Sequence, residues 1–566
     1  MRARKAMIGS ALSVVALTLS TAVAPSAGAA PTVDGGAGTE YTVLAAEGTT
    51  GVDAVAAIEQ AGGRVVDRNE AVGMYRVVAA STGFVERADG SAKLVGAAHR
   101  TPIGRSPKSK RDPAEPSAGR GGPPEAGQPG GGRPVGMDPL DDRLWGLRMI
   151  RADQARTVTP GSKRVAVGIL DTGVDAGHPD IAPNFSWRQS RNFAPDMVDV
   201  DGPCEVASCV DPVGTDDGGH GTHVAGTIGA AANGFGISGV APNVSLVELK
   251  GGQDSGYFFL EPVVNALTYA GDAGLDVVNM SFYVDPWLYN CTANPADTPA
   301  QQAEQRTIIA GMNRALNYAH RRGVTLVGSL GNNHEDLGAP REDTSSPDYP
   351  AEAAYPRPIN NATCWDLPVE GPHVIGVSAV GPSGRKSDYS NYGVEQISVA
   401  APGGFYRDGF GTPTFNTFGN TILSTYPLHV LQEEGMVNED GTIVPDFANQ
   451  VVQYCDAAGR CGYYRYLQGT SMAAPHASGV AALIVSRYGQ PDRRHRGTLG
   501  LDPAVVESVL TRTAAERACP EPRLQSYANE GRPAEFDALC VGDLEFNGFY
   551  GHGIVDAYAA VTARRR

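Results

Sequence analysis

Positive charge is scarce in this chain. Its 566 residues carry 46 Lys and Arg against 62 Asp and Glu, a net charge of −16. No helix-length stretch gathers lysine and arginine into a phosphate footprint, which argues against nucleic acid as a partner and leaves the acidic surface a role in solubility. Long apolar runs are missing as well. Beyond Leu19 nothing is apolar enough to span a bilayer, so no membrane anchor is expected. The eight cysteines do not fall into the close pairs that ligate zinc, and there is no HExxH pattern.

What is present begins with Arg2, Arg4 and Lys5, an apolar run from Ala6 to Leu19, and small residues around Ala27-Gly28-Ala29. The run is shorter than a typical span of about 20 residues, and the pattern reads as a secretory signal peptide over residues 1–29. Export to an oxidising compartment predicts disulfides. Adjacency along the chain favours Cys204 with Cys209, Cys455 with Cys461, Cys519 with Cys540, and Cys291 with Cys364. Spacing alone leaves that connectivity open.

Residues 30–100 contain a small α+β unit: a strand over Tyr41–Ala45, a helix over Asp53–Gln60 ended by Gly62-Gly63, and strands over 64–67 and 73–78. Its place after a signal peptide predicts a propeptide. Residues 101–137 are rich in Gly and Pro and read as an exposed linker. Over residues 138–566, compact apolar runs at 164–170, 244–249, 277–280, 325–329 and 373–379 alternate with helical stretches at 260–269 and 313–321. That alternation predicts an α/β fold, a mostly parallel central sheet with helices on both faces. The stretches 335–368 and 403–466, full of Gly, Pro, Asn and Asp, read as surface loops.

Three glycine-flanked segments carry the chemistry. Asp171 closes the run VGILD and enters a Thr172-Gly173 turn; His220 opens HGTHVAGT; Ser471 stands in GTSMAAPH, where a helix begins. A carboxylate, an imidazole and a hydroxyl are what a serine hydrolase needs: an orienting anion, a base and a nucleophile. In the order Asp, His, Ser these motifs resemble the subtilisin-like serine protease family. The resemblance covers most of residues 140–566 and implies a secreted endopeptidase, with the propeptide as its intramolecular inhibitor and proteins or peptides as substrates. It implies Ser471 as nucleophile, His220 as base, Asp171 as its orienting acid and Asn332, after Gly331, as oxyanion donor. Asn333 is the neighbouring rival, and His223 is expected to be structural.

The same resemblance implies that substrate lies between Gly252–Gly256 (Gly252, Asp254, Ser255, Gly256) and Ser281-Phe282-Tyr283, beside Gly331. The family commonly has glycines after that serine; Phe282 and Tyr283 depart from the pattern and should reshape the pocket, and Asp285 is a candidate for attracting a basic or polar group. A structural Ca²⁺ is implied at Asp180 and the loop Ala231, Asn233, Phe235 and Ile237. Two other readings are open: a secreted binding protein with a degenerate peptidase core, and a metallohydrolase built on His220 and His223.

Overall fold

The computed structural model describes residues 38–80, 82–99, 138–349 and 351–564. The signal peptide expected at 1–29 and the linker expected at 101–137 lie outside the described residues.

Strand Thr39–Ala45 (β1) is followed by helix Gly51–Gln60 (α1), strands Gly63–Asn69 (β2) and Met74–Ala79 (β3), helix Phe84–Asp89 (α2) and strand Leu94–His99 (β4). The strands form an antiparallel sheet in the order β2-β3-β1-β4. The sequence reading gave only the βαββ part. It missed α2 and β4 because α2 is one short amphipathic turn-and-a-half and β4 is broken by Gly96. Tyr41, Val43, Ile58, Val77 and Phe84 fill this unit's core.

Strands Ala166–Asp171 (β5) and Arg191–Asn192 (β6), helix His220–Gly229 (α3), strand Ser245–Lys250 (β7), helix Leu260–Ala273 (α4) and strand Val277–Met280 (β8) follow. Helix Pro299–Arg321 (α5), strands Thr325–Ser329 (β9), Val374–Val380 (β10) and Val399–Pro402 (β11) complete the central layer. The sheet runs β11-β10-β9-β8-β5-β7-β6, all neighbours parallel. Strand β5 is buried at every position, as expected of a strand covered on both faces. Val167 and Ile169 pack toward α3 and the helix Thr470–Tyr488 (labelled α6 below). Ala166 and Leu170 pack toward α4 and α5. This period of two makes β5 a load shared by two cores.

Helix α5 starts at Pro299, well before the stretch 313–321 expected from its apolar spacing. Its first turns are polar, and Thr298 closes a capping box with Gln301 that makes the start stable. The stretch 403–466 is not only loop. Strands Ile422–Thr425 (β12), Val451–Cys455 (β13) and Cys461–Leu467 (β14) pair antiparallel in the order β12-β14-β13 and lead into α6, Thr470–Tyr488. Its cross-strand residues, among them Tyr426, Tyr463 and Leu467, form their own apolar cluster with Met472. The stretch 335–368 keeps only two-residue ladders, organised around Arg357, which is buried and bonded to both Asp297 and Asp343.

The N-terminal unit rests on α4 and α5. Asn69 donates to Asn265 (2.9 Å) and Thr268 (2.8 Å), the His99 N–H donates to Glu304 (2.9 Å), and Arg314 donates to the carbonyls of Ala45 and Val72. Asp89 pairs with Arg306 at 3.0 Å. The four disulfides join Cys204–Cys209, Cys291–Cys364, Cys455–Cys461 and Cys519–Cys540. Among the described residues no helix is long and apolar enough to cross a membrane.

Candidate active site

Asp171 ends β5 fully buried, at the strand's C-terminal edge where a parallel sheet opens. Its Oδ1 accepts the Thr172 N–H at 2.9 Å and lies 2.7 Å from His220 Nδ1. A carboxylate on Nδ1 fixes the tautomer and turns Nε2 toward the opposite side of the ring. His220 is the first residue of α3, and its position is set by Asp216. That carboxylate accepts from the Gly219 N–H and the Thr222 N–H, each at 2.8 Å, and from Thr172 Oγ1 at 2.8 Å. The turn after Asp171 and the start of α3 are thereby tied to one buried acid. Gly221 permits the approach: a Cβ there would stand 2.0 Å from the Gly173 carbonyl oxygen.

Ser471 is the second residue of α6. Its Oγ donates to the Ser281 carbonyl at 3.2 Å, and Ser281 Oγ donates back to the Ser471 carbonyl at 3.0 Å. Ser471, His220, Asn332 and Gly331 line one cleft. The hydroxyl thus rests on Ser281, within the cleft that His220 also lines. Asn332 Oδ1 accepts from both the N–H and the hydroxyl of Thr470, each at 2.9 Å, so its amide is oriented from the residue next to Ser471. Asn391, unnoticed in the sequence, braces this segment: it donates to the Leu330 carbonyl (2.9 Å) and accepts from the N–H groups of Asn333 (3.0 Å) and Glu335 (2.9 Å).

Of the expected substrate contacts, Asp254, Ser255, Gly256, Ser281, Phe282, Tyr283 and Gly331 line the cleft. Gly252 does not line it. The Phe258 ring lies against it, 2.5 Å from where a Cβ would be, and Phe258 stacks on Phe282 with centroids 4.1 Å apart. Asp254 is ion-paired with Lys250, which also meets Asp211 at 3.1 Å. Asp285 is not at the rim: it is 1% exposed and accepts the Phe258 N–H, so it shapes the backbone rather than greeting a ligand. The lining also includes Asn333, the expected rival of Asn332, and Phe258, Asp366, Tyr426, Glu434 and Leu467, which sequence reading missed.

His223 is fully buried with Nε2 3.1 Å from the carbonyls of Ile422 and Arg465. Burial drives its pKa down to about 3, so it is a neutral N–H donor. With His220 committed to Asp171 through Nδ1, the two histidines do not converge on a metal. Among the described residues the acidic groups that do converge are Asp196, Asp211 and Asp254, and Lys250 already serves two of them.

Residues 162–553 match the sequence profile of the subtilase family. The chain belongs to the subtilase family, the subtilisin-like serine peptidases. It is 30% identical to fervidolysin of Fervidobacterium pennivorans over 360 residues, 62% of this chain and 38% of that protein. It is 27% identical to subtilisin DY of Bacillus licheniformis over 348 residues, 61% of this chain and 85% of that one. The chain therefore spans well under half of fervidolysin and most of subtilisin DY. Among solved structures, the epidermin leader peptide processing serine protease of Staphylococcus aureus superposes with a TM-score of 0.58 at 20% identity, covering 94% of this chain and 99% of that one.

In this subtilase the loop implied for calcium surrounds Asp180, which is fully buried. Asp180 Oδ2 accepts from the Ile237 N–H (3.0 Å) and the Tyr464 hydroxyl (2.8 Å), while Oδ1 is buried with no hydrogen-bond partner. Asn233 spans the loop, donating to the Pro179 carbonyl and accepting the Phe235 N–H; the Ala231 N–H donates to the Asp180 carbonyl. A second carboxylate, Asp138, accepts the N–H groups of Gly234 (2.8 Å) and Asn233 (3.1 Å). Burial pushes Asp180 up to about 7 and Asp138 up to about 6. Two acids forced toward neutrality, one with an orphaned oxygen, on a glycine-rich oxygen-bearing loop fit a hard divalent cation.

Proposed function

We propose that this subtilase is an exported serine endopeptidase that hydrolyses protein or peptide substrates through Asp171, His220 and Ser471. The observation that carries the reading is the 2.7 Å contact between Asp171 Oδ1 and His220 Nδ1, made within a cleft that Ser471 and Asn332 also line. His220 Nε2 takes the Ser471 proton as Oγ attacks the scissile carbonyl carbon. The buried Asp171 stabilises the imidazolium that results. The oxygen that becomes negative is met by the Asn332 amide and the Ser471 N–H at the start of α6, where the helix dipole favours an anion. The tetrahedral adduct collapses as His220 returns the proton to the leaving amine, giving an acyl-Ser471. Water then loses a proton to His220, attacks the ester carbonyl, and releases the acid with Ser471 restored. Substrate is held extended along Asp254–Gly256 and Ser281–Tyr283.

Residues 39–99 serve on this reading as part of a propeptide, docked on α4 and α5. A calcium ion held by Asp180, Asp138, Asn233 and the loop backbone would stabilise the fold and takes no part in the chemistry. The signal sequence and the four disulfides support an extracellular destination.

The test is covalent labelling. A peptidyl phosphonate should add one equivalent to the wild-type protein, located at Ser471, and none to Ser471→Ala. Ser471→Ala should also lose about a million-fold in kcat, the size found for the same change in subtilisin. A protein that binds peptides but neither labels nor cleaves is the degenerate binding protein instead.

A further inference from the structure

Three carboxylates line the cleft, and two of them already have a cation. Asp254 is held by Lys250, and Glu434 by Arg465 at 2.8 Å. Asp366 has none. It is 3% exposed, and among the described residues its carboxylate takes no hydrogen bond and no ion pair. Its charged surroundings are themselves anionic, Glu370 and Asp343, and Arg357 is already engaged by Asp343 and Asp297. Leaving a buried carboxylate unpaired is costly, and buried charges are normally compensated. Burial first, then Glu370 and Asp343, raise the Asp366 pKa well above the usual carboxylate range, so on its own it is held toward the neutral acid. A cation arriving through the cleft draws it back to the anion.

Where Asp366 sits defines what reaches it. A Cβ at Gly331 would be 3.3 Å from Asp366 Oδ2, and Gly331 holds φ +97°, a conformation that keeps the position open to glycine. Gly331 immediately precedes Asn332, the oxyanion donor. The carboxylate therefore lies against the segment proposed to receive the scissile carbonyl, in a cleft that Ser329, Phe282 and Tyr283 also line. A side chain entering the cleft beside Gly331 finds Asp366 as the lining carboxylate that has no cation of its own.

We propose that Asp366 is the specificity-determining residue of the cleft and that the bond cleaved follows a long cationic side chain, arginine or lysine, whose charge pairs with it. This rests on the peptidase reading above. Asp366 is a binding residue here, not a participant in bond breaking.

The experiment uses the full secreted protein and four quenched peptides identical except at the residue before the scissile bond: Arg, Lys, norleucine and Gln. For the wild type, kcat/KM with Arg and Lys should exceed that with norleucine by about 100-fold, the order expected when a buried charge gains its partner. Asp366→Asn, isosteric and uncharged, should collapse the ratio to near one. Titration calorimetry of the same peptides on Ser471→Ala reads the preference without chemistry, and the wild-type ranking needs no variant of Asp366 to fold. Equal cleavage after norleucine and arginine, with Ser471→Ala inactive, overturns the proposal and leaves the peptidase reading intact. No cleavage of any peptide, with arginine still bound preferentially through Asp366, overturns the peptidase reading and keeps the subsite. Absence of both preferences overturns both.

Discussion

Asn332 does two jobs with one amide. Its oxygen holds Thr470 beside the nucleophile, and its nitrogen is the proposed donor to the oxyanion. Two substitutions separate them. Asn332→Asp keeps an acceptor for Thr470 but removes the donor; kcat should fall by about 10²–10³, the range known for this type of donor in subtilisin, with KM and Tm little changed. Asn332→Ala should show the same fall and also lose about 1–2 kcal/mol of stability, because the Thr470 groups are left unpaired. Thermal melts alongside steady-state kinetics distinguish the two. At this scale Asp171, His220 and Ser471 stood out as candidates because each sits in a short motif whose glycines serve the local backbone, and Asp171 and His220 do meet. Asp366 was not legible, because what marks it is the absence of any partner, and that exists only after folding. Asp138 was hidden for a related reason: it meets the Asp180 loop through space, from the edge of a linker. Asp285 misled because a carboxylate near a pocket in sequence turned its oxygen to the backbone of Phe258 instead.

The elements carry the next level of behaviour, and the loop around Asp180, proposed to hold calcium, is the sharpest case. Asp180 and Asp138 titrate near 7 and near 6 in the folded chain, against 3.8 for an ordinary aspartate. Raised values mean that the folded state binds protons the unfolded state has released, so stability falls as pH rises through this window. Without a divalent cation the Tm should drop steadily between pH 5 and pH 8. Saturating Ca²⁺ should flatten that slope and raise the Tm most at the alkaline end, a ligand at 100 times its Kd adding about 2.7 kcal/mol. Asp180→Asn should abolish the calcium-dependent part while leaving a folded protein. Calorimetric melts at several pH values with EDTA or Ca²⁺ give the answer directly. The three-stranded sheet β12-β14-β13 also belongs here. It was read as loop because its strands are short and set among turn-forming residues, yet it supplies Tyr464 to Asp180 and Tyr426 and Leu467 to the cleft.

For the whole molecule the question is how firmly the N-terminal unit stays on α4 and α5. Glu304 accepts the His99 N–H, and burial under that contact raises its pKa from 4.5 to about 7 while lowering that of His99. Docking therefore takes up a proton at Glu304. Its contribution is fully present below the exposed value of 4.5 and is lost as pH rises through 7; charging of His99 opposes docking at the acid end. Between pH 6 and pH 8 the docking constant should weaken about tenfold, and Glu304→Gln should remove the dependence. Hydrogen exchange of the 39–99 amides in full-length Ser471→Ala, compared across that pH range, measures it. The parallel sheet and its two helical layers were readable from alternating apolar runs; the seat of the N-terminal unit was not, since Asn69, Asp89 and His99 look like ordinary surface residues until α4 and α5 lie beneath them.

The lone acid under Gly331 has a consequence for the protein's own life history. The chain between residues 100 and 137 offers Arg105, Lys108, Lys110, Arg111, Arg120 and Arg133, and each is leashed to the domain that carries the pit. A leashed guest arrives at a local concentration set by the leash and not by how much protein a cell exports. If Asp366 takes arginine or lysine as proposed, a basic residue on the same chain has the advantage over any other, and cleavage of that segment should run at a rate that does not change on dilution.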